Sequence, residues 1–158
     1  MLSEDGGGAA GGGAANGGPG GGDQMVDALA ELPLFTGLKR PELETIAHTF
    51  AEEWYPAGQR ILRQGFSGTG FYVILDGDAS IRIDGAERAR LSRGEFFGEV
   101  SVLLGDAPVA DVVALQPLRT LHLPGPQVEA FLKAHPTVMY RMLQSQARRL
   151  RAANRWRG

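Results

Sequence analysis

The chain of 158 residues contains no cysteine. The sequence therefore excludes a disulfide framework, a cysteine-bound zinc or iron–sulfur centre and a thiol nucleophile. Long apolar runs are also missing: the stretch 71–75 is only five residues long, whereas a membrane-spanning helix needs about 20. The N-terminus lacks the basic and apolar regions of a secretory signal. We therefore expect a cytoplasmic protein without a membrane span.

Glycine is unevenly distributed along the chain. Of the 23 glycines, 11 lie between Gly6 and Gly22. A segment with so little apolar surface cannot offset the entropy lost on folding. We predict a disordered Gly/Ala-rich tail over residues 1–24 and one domain over residues 25–158.

Acidic residues are absent after Glu129, although the whole chain has a net charge of −2. The basic residues of this last part are Lys133, Arg141, Arg148, Arg149, Arg151, Arg155 and Arg157. Such a segment could touch nucleic acid or an acidic partner, but a solvated helix face with cations near its end is the favoured interpretation. No helix-turn-helix pattern follows it, so we expect no sequence-specific DNA binding.

The secondary-structure signals change twice along the domain. Helical spacing predicts helices at 25–32 and 41–52, and again at 126–134 and 136–156. Between them, over about 53–124, turn residues alternate with short apolar stretches, which is typical of a barrel or sandwich. The expected strands are 60–63, 71–75, 79–84, 88–91, 109–115 and 119–123. Asp84-Gly85 predicts a tight hairpin, because both turn positions require positive φ.

The segment around Gly98 is the strongest candidate for a site. We expect a short apolar helix over residues 99–104 that is entered through this glycine, and a helix start favours a small anion such as phosphate. Glu99, at the first helical position, has two interpretations. It either complements the helix dipole or accepts a hydrogen bond from a hydroxyl group of a ligand.

Several short motifs occur in a fixed order over residues 30–156. They are the segment 32–38, Pro56-Ala57-Gly58, Gly65 ahead of 71–77, the segment 94–99 and the closing helix. Together they resemble the cyclic-nucleotide-binding domain family, the regulatory modules of catabolite-activator-type transcription factors, cyclic-nucleotide-dependent kinases and gated channels. The resemblance implies an α+β fold: an eight-stranded jelly-roll-like β-roll flanked by N-terminal helices and a long C-terminal helix.

The resemblance also implies a phosphate-binding cassette. In that family a glutamate accepts hydrogen bonds from the ribose 2′-hydroxyl, an arginine and backbone amides hold the cyclic phosphate, and the closing helix covers the base. Carried over to this sequence, the ligand-binding residues are Phe97, Gly98, Glu99, Val100, Ser101, Pro108, Val109 and Ala110.

The cassette is degenerate, because Pro108 stands where the family has its arginine and Asp111 adds a negative charge nearby. Loss of one partner of a buried charge pair costs about 2–5 kcal/mol. Three interpretations stay open. The site binds a nucleotide weakly with a cation from Arg82, Arg88 or Arg90; it binds another small ligand; or it is empty and the domain works through its surfaces.

The sequence lacks the common catalytic and metal-binding motifs, including a Gly-x-Ser-x-Gly elbow, a Walker loop and a His-x-x-x-His pair. We expect no enzyme activity, no metal site and no cofactor. The leading hypothesis is a regulatory sensor, in which cAMP or cGMP in the β-roll is coupled to the C-terminal helix. The alternative is a ligand-free interaction module that binds a protein partner, or a second copy of the chain, through residues 139–153.

Overall fold

The computed structural model of the protein describes residues 19–66 and 70–155. Helices lie at both ends of the described chain, and strands lie between them. The helices are α1 (Pro19–Ala30), α2 (Arg40–Thr49), α3 (Glu99–Leu104), α4 (Gly125–Ala134) and α5 (Pro136–Arg155). The strands are β1 (Ala51–Tyr55), β2 (Arg60–Leu62), β3 (Gly70–Asp76), β4 (Ala79–Ile83), β5 (Ala86–Leu91), β6 (Phe96–Phe97), β7 (Asp111–Ala114) and β8 (Leu118–Pro124).

The strands form two four-stranded antiparallel sheets. One has the order β1-β8-β3-β6 and the other β2-β7-β4-β5. Apolar side chains from both sheets pack together into one core, which includes Ile74 and Leu118 from the first sheet and Val112 from the second. Two facing antiparallel sheets of eight strands are the architecture of a jelly roll. The predicted fold class is therefore confirmed.

A second core lies between the first sheet and the helices. Strand β3 takes part in both cores, because Phe71 and Val73 face the helices while Tyr72 and Ile74 face the second sheet. The sequence of a strand that is buried on both faces is a continuous apolar run. This explains why apolar residues follow one another without interruption over 71–75. This second core also contains Phe131 of α4 and Met142 of α5. The two closing helices therefore pack on the face of β3 that carries Phe71 and Val73.

The β4–β5 connection is the predicted hairpin. Asp84 has a φ of 52° and Gly85 a φ of 81°, which is the pair of positive angles that a type I′ turn needs. Ile83 pairs with Ala86 directly across the turn. The hairpin prediction is confirmed.

The first helix begins earlier than expected. We predicted disorder over residues 1–24, but α1 starts at Pro19, so residues 19–24 are helical and the predicted boundary is wrong. Glycine disfavours a helix locally, whereas tertiary contacts stabilise this one: Val26 and Leu29 are buried, and the Asp23 carboxylate lies 2.7 Å from the Arg40 guanidinium. The rest of the predicted tail lies outside the described residues.

The expected helix over 41–52 is also too long, because α2 ends at Thr49 and β1 begins at Ala51, after the single residue Phe50. The sequence did not indicate β1, since its side chains are exposed or half-buried and show no apolar alternation. It forms because its backbone pairs with β8, from Ala51 opposite His122 to Tyr55 opposite Leu118. Among the helices that the structure describes, none combines the length and apolar character needed to cross a bilayer.

Candidate functional site

The predicted site residues lie around one cavity of about 200 Å³ inside the β-roll. One wall is the second sheet, which contributes apolar side chains of β2, β4, β5 and β7. The opposite wall is the segment that contains α3 and the loop after it. The lining from this segment is Phe97, Gly98, Glu99, Val100, Ser101, Pro108, Val109 and Ala110. All eight residues are therefore brought together, and their role in ligand binding stays a prediction.

Gly98 fixes how the α3 segment enters the site. Its φ is +90°, and a Cβ atom at this position would lie 2.1 Å from the carbonyl oxygen of Gly70 in β3. A side chain is therefore excluded twice, by backbone conformation and by the close approach of a neighbouring strand. The close contact holds the start of α3 against the sheet, so that Glu99 points inward.

Glu99 is the charged group at the centre of the site, with only 1% of its surface exposed. Its carboxylate accepts a hydrogen bond of 2.9 Å from the Gln146 side-chain amide, and Arg149 lies 3.5 Å from its other oxygen. Burial raises the pKa of this carboxyl, while Arg149 and Gln146 act in the opposite direction. Both carboxylate oxygens of Glu99 therefore already have partners on α5. The carboxylate is neither a cap of the short helix alone nor a free acceptor for a ligand in this structure. It holds the closing helix.

Arg149 connects α5 to the site through three contacts. Besides approaching Glu99, its guanidinium donates a 2.8 Å hydrogen bond to the carbonyl oxygen of Phe96 and lies 4.5 Å from the centroid of the Phe96 ring. It also lines the cavity. No sequence pattern indicated this role, because Gln146 and Arg149 are ordinary polar residues of a basic helix. Their partner lies far away in the sequence, with a separation of 47 residues for Gln146.

The three arginines proposed as replacement cations are not at the cavity. Arg82 donates to the Ser80 hydroxyl at 3.1 Å, and Arg90 lies 3.1 Å from the Glu87 carboxylate. Ala89 and Leu91 face the cavity from β5. Strand alternation therefore turns Arg90 to the opposite face.

Arg88 is exposed at the point where the β4–β5 register shifts by one residue, and it does not line the cavity. None of Arg82, Arg88 and Arg90 lines the cavity, so the structure gives no support to a cation from these strands, and that expectation stays a prediction. Asp111 is turned away as well, since its carboxylate accepts the Gln64 N–H at 2.7 Å.

The remaining polar side chain of the cassette is used locally. The Ser101 hydroxyl donates to the Gly98 carbonyl oxygen at 3.2 Å, within a helix of only six residues. In residues 19–66 and 70–155, no group of three or more acidic or histidine side chains is arranged to hold a metal ion. The cavity therefore presents one acidic and one basic group, Glu99 and Arg149, in an otherwise mostly apolar lining.

A jelly roll with a partly open cavity, a buried carboxylate in its wall and a long helix bonded to that carboxylate has the features of a small-molecule-binding regulatory domain. The sequence comparison gives the family. The model of the cyclic nucleotide-binding domain matches residues 52–135, and the chain belongs to this family.

Two curated relatives illustrate the similarity. The cyclic AMP receptor protein of Thermus thermophilus is 33% identical over 127 residues, which covers 77% of this chain and 59% of that protein. A cAMP-dependent protein kinase regulatory subunit of Mycosarcoma maydis is 38% identical over 90 residues, which covers 54% of this chain and 17% of that protein. The chain therefore spans less than two thirds of the length of these relatives.

Solved structures show the same fold. The catabolite activator protein of Thermus thermophilus superposes with a TM-score of 0.68 at 34% identity, covering 77% of this chain and 60% of that one. The regulatory subunit of a cAMP-independent protein kinase A from Trypanosoma brucei superposes with a TM-score of 0.70 at 23% identity, covering 80% of this chain and 46% of that one. At 34% identity, the first protein is similar to this chain in both sequence and structure. At 23% identity, the second shows similarity of the fold alone.

Proposed function

We propose that the chain is a non-catalytic sensor in which cAMP or cGMP occupies the cavity and thereby changes the position of α5. The observation that carries this proposal is the double contact of Glu99 with Gln146 and Arg149. The carboxylate that the family resemblance assigns to the ribose hydroxyl is the same group that holds the closing helix. A cysteine-free chain suits the reducing cytoplasm, which we propose as its compartment.

Competition for Glu99 provides the switch. A ligand hydroxyl that binds the carboxylate displaces at least one of its two partners on α5. The cavity volume of about 200 Å³ is below the roughly 300–1,000 Å³ of typical ligand pockets, so we expect a bound nucleotide to extend to the open side of the cavity, where Arg149 of α5 lies, and to change the position of α5. A ligand shifts such an equilibrium by the difference between its affinities for the two helix positions.

The replacement Glu99→Gln tests the ligand site. We expect cAMP, or cGMP, to bind the full chain about 10- to 100-fold more weakly after the replacement, because a hydrogen bond to a charged group contributes about 1.5–3 kcal/mol. Isothermal titration calorimetry measures the affinity. The variant Glu95→Gln is the control, since Glu95 is exposed and its carboxylate accepts the Ser92 N–H rather than facing the cavity.

A second ligand makes the test specific for the hydroxyl. The 2′-deoxy form of the nucleotide lacks the proposed donor, so it should bind the unchanged chain weakly and lose little more on Glu99→Gln. Equal losses for both ligands would show that Glu99 acts on the fold rather than on the hydroxyl. Absence of binding by both cyclic nucleotides at millimolar concentration would refute the sensor proposal.

The outer face of α5 is proposed as the surface that transmits the signal, with a second copy of this chain as its partner. Met139, Leu143 and Leu150 are 41%, 63% and 63% exposed, so the predicted apolar stripe is a surface rather than core. Leu143 and Leu150 are seven positions apart, and Met139 and Ala153 fall four before and three after them. This spacing is that of the a and d positions of a short coiled coil, except that the d position between the two leucines is Gln146, which bonds Glu99.

Glutamate at both leucines, Leu143→Glu with Leu150→Glu, is expected to weaken self-association at least about tenfold, because charge is depleted at the core of such interfaces. Size-exclusion chromatography with light scattering measures the mass as a function of concentration. Leu104→Glu is the control, since Leu104 is equally exposed (68%) but lies on α3. A chain that is monomeric before any replacement would contradict the proposal and would leave another protein as the partner of α5.

A further inference from the structure

The site lacks a cation where the family resemblance expects one. Pro108 lines the cavity at the position of the cassette arginine, and the arginines of β4 and β5 face away from it. An anionic cyclic phosphate placed beside the buried Glu99 carboxylate would then meet like charge without compensation, which is strongly unfavourable at a desolvated site. The ligand proposed above therefore needs a positive group from another element.

Of the described residues that line the cavity, Arg149 is the one that carries a positive charge. It lies 3.5 Å from the Glu99 carboxylate, so the site contains one glutamate and one arginine side by side. This is the charge content that the resemblance implies for the cassette, with the arginine supplied by α5 instead of the loop at Pro108.

We infer that Arg149 replaces the missing cassette arginine and binds the phosphate of the ligand from the closing helix. This inference rests on the proposed function, and it names the residue that selects a phosphate-bearing ligand. In the bound state, Glu99 accepts a hydrogen bond from the ribose hydroxyl, while Arg149 turns from Glu99 toward the neighbouring phosphate.

The geometry of Arg149 suits this exchange. Its guanidinium has five N–H donors, of which one makes the 2.8 Å hydrogen bond to the Phe96 carbonyl oxygen. The guanidinium also lies over the Phe96 ring, with 4.5 Å to the centroid, and this cation–π contact uses none of its donors. The side chain is also 35% exposed, so it is not locked in a closed core. A planar fork with free donors beside a cavity is well suited to a phosphate group.

The source of the cation changes how binding is transmitted. A phosphate bound by the loop at Pro108 would affect α5 only through contacts of this helix with the rest of the ligand. A phosphate bound by Arg149 interacts with a side chain of α5 itself. The same interaction then determines both the affinity for the ligand and the position of the helix.

The test uses Arg149→Met in the full chain, because methionine keeps an apolar side chain that can pack on Phe96 and removes only the charge and the donors. We expect cAMP, or cGMP if that is the ligand bound, to lose at least about 30-fold in affinity by calorimetry. Arg151→Met is the matched control, since Arg151 is an exposed arginine on the same helix, and it should stay within about twofold. Arg149→Lys keeps the charge but not the fork and should fall between the two.

Adenosine separates recognition of the phosphate from a general effect on the lid. It offers the base and ribose 2′-hydroxyl of cAMP without a charge, and guanosine does the same for cGMP, so Arg149→Met should change the affinity for the matching nucleoside by less than about threefold. An equal loss for adenosine and the cyclic nucleotide would overturn the inference, since Arg149 would then act only by holding the helix. Unchanged or tighter binding of the cyclic nucleotide would overturn it as well, because Arg149 would then merely compete for Glu99.

Relocation of the charge gives a second readout. Adding Pro108→Arg to Arg149→Met should recover at least about tenfold of the lost affinity, since the cation returns to the loop. No recovery in a variant that retains the wild-type circular dichroism spectrum would overturn the assignment of the phosphate position. If the unchanged chain binds neither cyclic nucleotide, the proposed function fails and the assignment fails with it. If it binds one and Arg149→Met binds equally well, only the assignment fails.

Discussion

Replacement of Gly98 by alanine is expected to lower the free energy of unfolding by about 2–5 kcal/mol. Two costs add up. A residue with a Cβ atom resists the left-handed conformation, with φ of +90° at Gly98, and the new Cβ atom would lie 2.1 Å from the Gly70 carbonyl oxygen. The Gly70 carbonyl oxygen belongs to the backbone of β3, so it cannot rotate away as a side chain could. Urea unfolding followed by circular dichroism measures the loss.

Gly85→Ala separates the two costs. Gly85 has a similar φ of +81°, but no atom lies within 4 Å of the position of its Cβ. This variant should therefore show only the conformational cost, about 1–2 kcal/mol. Equal losses at Gly85 and Gly98 would show that the close approach of β3 to the start of α3 is not important for stability.

The features that the sequence predicted well are those set by neighbouring residues. The hairpin at Asp84 and Gly85 follows from the requirement of two adjacent residues for positive φ. The apolar run of β3 and the helical spacing of α5 likewise depend on residues close in sequence. The motif around Gly98 and Glu99 placed one wall of the cavity, because its residues lie on one continuous segment.

The features that it missed depend on distant partners. Strand β1 is defined by its backbone pairing with β8, and its own side chains show no strand pattern. The contacts of Glu99 with Gln146 and Arg149 join α3 to α5, and only the folded chain brings these elements together. The sequence therefore revealed the missing arginine of the cassette but not the arginine beside Glu99.

The expected replacement cations illustrate a related effect. Arg82, Arg88 and Arg90 lie on strands next to the site, where the face of a side chain is set by strand alternation and by the register shift at Arg88. Alternation turns Arg90 out of the roll, and Arg82 bonds Ser80 instead. Helix α5 instead bonds Glu99 and the Phe96 carbonyl oxygen, and these contacts place Arg149 at the cavity.

Phe50→Ala is expected to lower the free energy of unfolding by about 3–5 kcal/mol. Phe50 is 6% exposed, and its ring meets those of Phe35, Phe71 and Phe131 edge to face, with centroid distances of 6.5, 6.0 and 5.0 Å. These partners belong to the segment before α2, to β3 and to α4. Alanine would therefore leave a cavity at the point where the roll meets the helices at both ends. Urea unfolding measures the loss.

The effect of Phe50→Ala should also reach the closing helices, because Phe131 of α4 loses a packing partner and α5 follows α4 directly. We expect faster amide hydrogen exchange in both helices while the pairing of β4 with β5 stays protected, since that hairpin lies in the other sheet. Phe66→Ala is the control, because Phe66 is 58% exposed and should cost less than about 1 kcal/mol. A loss at Phe50 no larger than that at Phe66, or uniform acceleration of exchange, would mean that the aromatic cluster does not couple the roll to α4 and α5.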